Sequence, residues 1–231
     1  MGLLDNYKGK KFAKKGYKLL KQGKYKKAIV YLDKALELNP NDSVSLYNKG
    51  VSFKRLGNYQ KSLEYLNKTI EVDHKYFNAF SMKGIIFAEM EKYEEARDSF
   101  ENALKINSQE ATILAAMGSV MVRLKKYDEA LKYFDKSLEI NPNNPNVWNA
   151  KGNCLEYLER YNESLKCLDK ALELDPEEFK AWYNKGLAFM MLEKDNEALK
   201  CFEESTKINP NFKPALEDRE EVLKLIENKE N

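Results

Sequence analysis

The sequence predicts an all-α chain, an α-solenoid of stacked antiparallel helix pairs, and three observations carry that prediction. A glycine recurs every 34 residues without slip, at Gly16, Gly50, Gly84, Gly118, Gly152 and Gly186, using six of the chain's ten glycines. Each copy around it holds two apolar patterns of helical period. Each copy also ends in turn punctuation such as LNPND, INPNNP, LDPEE or INPNF. A fixed period of this length means one supersecondary unit repeated, with neighbours sharing a continuous core. The 231 residues therefore read as a single solenoid over 1–231 with repeats 9–42, 43–76, 77–110, 111–144, 145–178 and 179–212, closed by a capping helix over 213–231.

The first helix of each repeat places a large apolar residue four before the glycine: Phe12, Leu46, Phe80, Leu114, Trp148 and Trp182. Another follows three after it: Leu19, Phe53, Phe87, Met121, Leu155 and Phe189. These positions and the glycine share one helical face. A mid-helix glycine costs about 1 kcal/mol against alanine, so its recurrence implies close approach of a partner helix. The second helix starts near Tyr25, Tyr59, Tyr93, Tyr127 and Tyr161, with Asp195 in the sixth copy. It runs small–large–small, as in Ala28, Leu32, Ala35 or Ala198, Phe202, Ser205, which makes a tight helix seam. Asn or Asp before each first helix supplies a cap, and Pro145 opens a helix directly after Asn144. In 213–231, Ala215, Leu216, Val222, Leu223 and Ile226 mark an amphipathic helix dense in charge, as an end cap requires. Residues 1–8 extend or precede the first helix.

This 34-residue helix–turn–helix resembles the tetratricopeptide repeat (TPR), whose pattern of large residue, Gly, apolar residue, then Ala, Phe or Leu, Ala and Pro it follows over 9–212. The departures are Lys15, Lys49, Lys83, Lys151 and Lys185 before the glycine, whose stems cover the seam while their amines reach water, and His74 and Ser108 in place of the loop proline. The resemblance implies a right-handed superhelix whose concave groove, lined by first helices, holds a peptide. It places three zones in that groove. Lys14, Tyr17, Lys21, Tyr47, Asn48, Val51 and Lys54 are basic and aromatic. Met82, Ile85, Ala115 and Ser119 are small or apolar. Asn149, Asn153, Tyr183, Asn184 and Leu187 are amide- and aromatic-rich, and Glu89, Arg123 and Glu156 are charged exceptions. The implied partner is a protein or peptide with an apolar centre and acidic residues near the basic N-terminal repeats, its backbone amides bonding the asparagines.

The two-carboxylate clamp of chaperone-binding members is not reproduced. Asn48 and Asn184 match its middle element, but the outer positions hold Ala13, Tyr17, Asn78, Met82, Pro214 and Asp218, and Asn149 replaces a lysine beside a fitting Asn153. The sequence argues against chaperone C-terminal tails as ligands.

Charge is uneven. Repeat 9–42 has ten Lys against three acids, a net +7, whereas 145–178 has four basic against eight acidic residues, a net −4. A basic end attracts acidic partners, so nucleic-acid binding through the basic N-terminal repeats is a second reading, against which the pI of 8.2 counts. Self-association through terminal faces is a third reading. No enzyme constellation is present: there is no GxGxxG, GxxxxGK[ST], HExxH or GxSxG, and His74 stands alone. Cys154, Cys167 and Cys201 have no metal or disulfide spacing, so no metal and no cofactor is expected. The charged fraction of 33 %, mean hydropathy of −0.68 and absence of a long apolar run predict no membrane association. The start, MGLLDNYKGK, lacks an apolar secretory stretch and has Asn6 where myristoylation requires Ser or Thr, so the expected location is cytoplasmic.

Overall fold

The computed structural model describes residues 3–230, and among these the chain is helical with no strand. It divides into two compact units, Met1–Gln109 and Glu110–Asn231. The first contains α1 (Leu3–Lys21), α2 (Tyr25–Leu38), α3 (Ser43–Arg55), α4 (Tyr59–Val72), α5 (Phe77–Glu89) and α6 (Tyr93–Ile106). Each first helix packs on its own second helix, each second helix on the following first helix, and α3 also touches α1 and α5. The second unit contains α7 (Ala111–Arg123), α8 (Tyr127–Ile140), α9 (Pro145–Glu156), α10 (Tyr161–Leu174), α11 (Phe179–Met191), α12 (Asp195–Ile208) and α13 (Lys213–Glu230), paired in the same manner with α13 closing on α12.

The recurrent glycine is where each pair closes. A Cβ at Gly186 would lie 2.5 Å from Phe202 Cε1, at Gly84 2.6 Å from Phe100 Cδ1, and at Gly50 3.1 Å from Leu66 Cγ. The large residue of the second helix thus occupies the space that the glycine leaves, and Leu32, Leu66, Phe100, Phe134, Leu168 and Phe202 are fully buried. Their small neighbours are buried too, and several bond the facing backbone: Ser62 Oγ donates to Gly50 O (2.7 Å) and Ser205 Oγ to Phe179 O (2.8 Å).

The turn inside each repeat carries its own 34-residue series. Its left-handed residue is Gly23 (φ 73°) and Gly57 (φ 75°) in the first two copies. In the rest it is Glu91, Lys125, Glu159 and Glu193, at φ 58–59°. Glycine adopts this conformation without steric cost, whereas a residue with a Cβ does not.

Among the first helices α3 to α11 the expected Asn or Asp cap forms only at α9, since Tyr76, Glu110 and Glu178 stand before α5, α7 and α11. Asn58 and Asn144 cap α4 and α9, accepting from Lys61 N and Val147 N, and Pro145 takes the first position of α9. Asp42, before α3, instead accepts from the Ser45 hydroxyl. The loop prolines have a second role: Trp148 and Trp182 donate their indole N–H to the carbonyls of Pro142 and Pro176 (2.8 and 2.9 Å).

The lysines before the glycines do more than shield a seam. Lys49, Lys151 and Lys185 pair with Asp33, Asp135 and Asp169 on the preceding repeat's second helix, the last two at 2.6 and 2.7 Å. Lys83 reaches Asn67 in the same way (2.8 Å). Lys49 is buried and also donates to the Tyr65 hydroxyl (2.7 Å), while Lys15 sits 4.2 Å from the Tyr31 ring. The expectation of amines reaching water fails at Lys49, which is buried, whereas Lys15 stays exposed.

At the chain's end α13 packs Ala215, Val222 and Ile226 against α12, with Val222 and Ile226 in the Ala198–Phe202 cluster. Leu223, assigned to that face from sequence, is exposed, because the seam follows 215, 222 and 226, one helical step away. Residues 3–8 extend α1, and residues 1–2 lie outside the described residues.

Candidate functional site

The candidate site is the face formed by first helices, taken unit by unit. In the first unit, Lys14, Tyr17 and Lys21 are exposed on α1, with Lys21 Nζ 5.7 Å from the Tyr17 ring. Tyr47 on α3 is half-buried against Tyr76 (centroids 5.1 Å apart), and burial, then Tyr76, pushes its hydroxyl up to about 12. Asn48 and Val51 are buried, contrary to their expected exposure. Because α3 has a first helix on either side, little of its face stays free. Lys54 donates to Glu89 Oε1 (2.6 Å), and the Tyr59 hydroxyl bonds the same carboxyl. Burial alone would raise Glu89, but the hydrogen bonds from Lys54 and Tyr59 and the charges of Lys54 and Arg55 hold it below the usual carboxylate range. Met82 is half-buried against the Leu66–Ala79–Ile86 cluster, and Ile85 is half-buried beside it in sequence on α5.

In the second unit Ala115 is half-buried and Ser119 exposed, the latter's hydroxyl donating to Ala115 O (3.1 Å). The asparagines meet each other: Asn184 Nδ2 donates to Asn149 Oδ1 (2.8 Å). Each still has an unfilled amide valence, since an amide offers two donor hydrogens and two acceptor lone pairs. Tyr183 donates its hydroxyl to Asp218 on α13 (2.9 Å) and packs edge-on to Phe212. Burial and then that hydrogen bond raise its pKa strongly. Leu187 packs beside the Ala198–Phe202–Val222 cluster.

Asn153 and Leu187 also line a cavity of about 330 Å3, with Glu156, Tyr157, Tyr161, Met190 and Met191. Glu156 ends α9 and accepts from the Ser164 hydroxyl (3.0 Å). Burial, only partly offset by Ser164, pushes its carboxyl up to about 7. Tyr157 stacks on Tyr127 (5.0 Å, 9°) yet is 56 % exposed, and Met191 is 60 % exposed. The sequence marked Glu156 only as a charge out of place. The available signal was its column, since the other copies place Leu20, Lys54, Ala88, Val122 and Met190 at that position.

Among the described residues no group of three or more His, Cys, Asp or Glu could hold a metal, and no helix is long and apolar enough to cross a membrane. The three cysteines are unpaired and buried, and burial raises each thiol.

A tetratricopeptide repeat family model matches residues 11–42, 43–76, 145–178 and 179–212, and a second of the same description matches 87–154. Among solved structures, the chain is similar to YrrB, described as a TPR protein with an unusual peptide-binding site, at 26 % identity and TM-score 0.70, over 82 % of this chain and 97 % of that one. It is similar to pilF of Pseudomonas aeruginosa at 20 % identity and TM-score 0.81, over 94 % and 99 %. A third is MamA from Desulfovibrio magneticus RS-1, at 22 % and TM-score 0.69, over 74 % and 97 %. No curated protein sequence matches.

Proposed function

Because the chain belongs to the tetratricopeptide repeat family, we propose that it is a protein-interaction scaffold whose first-helix faces hold an extended segment of a partner protein, with a binding rather than a catalytic role. The observation carrying this reading is apolar surface left open where the repeat does not need it. Met191 and Tyr157 stand mostly in solvent beside Leu187 and Met190, at a concavity rather than scattered singly. Flexible methionines suit a surface that must adapt to a ligand. The peptide-binding description of YrrB, at 26 % identity, points the same way. The basic stretch of α1 adds a preference: Lys14 and Lys21 would meet acidic residues of the partner, and Met82 and Ile85 on α5 its apolar residues. Lys54 is already engaged by Glu89 and contributes less.

Selection of displayed peptides on the full chain, followed by affinity measurement on variants, tests this. We expect Tyr17→Ala and Met191→Glu, both at exposed positions, to keep native helicity and to weaken selected peptides about tenfold or more, as loss of a single anchor does. Unchanged affinity in both folded variants overturns the proposal.

A further inference from the structure

We propose that the cavity between α9, α10 and α11 is a specificity pocket for a lysine side chain of the bound peptide, with Glu156 as its acceptor. The inference rests on the peptide-binding reading above and names the residue type that the second unit selects.

Three features converge on a cation. Glu156 is a half-buried carboxyl whose one hydrogen bond comes from a neutral hydroxyl, Ser164 Oγ at 3.0 Å, and among the described residues no lysine or arginine pairs with it. It stands at the last residue of α9, the negative end of the helix dipole, which favours a cation over an anion. Tyr157 and Tyr161 line the same cavity, and aromatic faces attract ammonium groups. For stability alone a glutamate here is a poor choice, since a half-buried carboxylate without a cationic partner loses hydration and gains little in return. Five other repeats manage without it.

The shape favours lysine over arginine. Leu187, Met190 and Met191 offer apolar wall to a four-carbon stem within a volume of about 330 Å3. Ser164 donates to one carboxylate oxygen, and a guanidinium binding through both would share that oxygen with it. An ammonium, a compact point charge, needs only the other one.

The pocket should respond to pH because its acceptor must be ionised. The ionisable groups around α9 divide between two faces. Lys151, Asp128, Asp135, Arg160 and Glu163 surround the cleft between α8, α9 and α10. The cavity holds Glu156, Tyr157 and Tyr161, with Ser164 on the carboxyl and Tyr183 near enough to feel its charge, Asp218 behind it. With the carboxyl at about 7 through burial, the ionised fraction rises about tenfold between pH 6 and pH 8.

The test passes a fully degenerate, N-acetylated and C-amidated nonapeptide library over the immobilised full chain and its Glu156→Gln variant at pH 8, and over the parent at pH 6. Glutamine keeps the size of the side chain and can still accept from Ser164, and the pH arm needs no variant. We expect lysine to be enriched several-fold over the input at one position of the pool retained by the parent at pH 8. The enrichment should disappear with Glu156→Gln and shrink toward the input level at pH 6. A retained pool with no lysine preference, or an equal preference in the variant, overturns the pocket while leaving peptide binding intact. Arginine enriched in lysine's place overturns the assignment of the residue type. If neither column retains peptide, the peptide-binding reading fails and this one with it.

Discussion

Replacing Gly186 by alanine should destabilise the chain, whereas the same change at Gly50 should be close to neutral. The two positions are equivalent in sequence and differ only in what faces them. At Gly186 the new methyl would lie 2.5, 2.7 and 2.9 Å from three ring carbons of Phe202. Comfortable carbon contacts are about 3.5–4.0 Å, and the ring is fully buried against Tyr183, so it has little room to turn. Overpacking of this kind costs about 1–3 kcal/mol, and a 1 Å overlap belongs at the upper end. Alanine's helix preference returns about 1 kcal/mol, leaving a net loss of about 2 kcal/mol. At Gly50 the nearest atoms are Leu66 Cγ and Cδ2 and Ser62 O, at 3.1–3.3 Å. A shift of a few tenths of an ångström relieves that, and the gain in helix preference roughly cancels it. Urea unfolding followed by circular dichroism would read the difference as a midpoint lowered by about 1 M for Gly186→Ala, given slopes of about 1–3 kcal/mol/M. Amide exchange should accelerate first in α11 and α12. Adding Phe202→Leu to Gly186→Ala should recover part of the loss, because a leucine is what Gly50 faces. A Gly186→Ala chain as stable as its parent, or one that Phe202→Leu does not improve, would refute the account of why the glycine recurs.

Other consequences are as direct. Glu193→Gly, at φ 58°, should raise stability by about 1 kcal/mol by relieving left-handed strain, checked by the urea midpoint; a lowered midpoint contradicts it. Trp182→Phe removes the donor to Pro176 O and should cost about 1 kcal/mol, read by thermal unfolding against Trp148→Phe, whose indole makes the same bond. Glu156, raised from 4.5 to about 7, binds its proton more tightly folded than unfolded. Stability should therefore decline as pH rises from 4.5 to 7, by on the order of 2 kcal/mol, and Glu156→Gln should flatten that slope; parallel curves for the two proteins would show that burial at this position does not act as described.

The period made the helices, their pairing and the core columns legible, because those depend on spacing within one repeat. Gly16 to Gly186 and the small–large–small runs needed no knowledge of how repeats meet. What escaped was set by the offset between neighbouring repeats. Asn184 and Asn149 are 35 residues apart, as are Tyr183 and Asp218, and Lys185 lies 16 from Asp169. None of these pairs follows from helical periodicity, so residues assigned to a ligand turned out to bond each other. Asn48 and Val51 were misjudged for the same reason: their exposure depends on α1 and α5, not on α3. Leu223 was placed one helical step off because an end helix has a neighbour on one side only. Glu156 was visible as an anomaly in its column, but only burial gave that anomaly chemical meaning.

The lysine–aspartate pairing makes residues 145–178 a piece with matching connectors. Lys151 faces back to Asp135, and Asp169 faces forward to Lys185. Were that piece excised, Asp135 and Lys185 would be left as the same two halves, each ready for the other. Length in such a chain is an adjustable quantity: a repeat can be inserted or removed without rewriting its neighbours, provided each presents an acid at its trailing edge and a lysine at its leading one. Two residues depart from that joining rule: Met117, standing where the other repeats carry lysine, and Asn67, standing where they carry an acid.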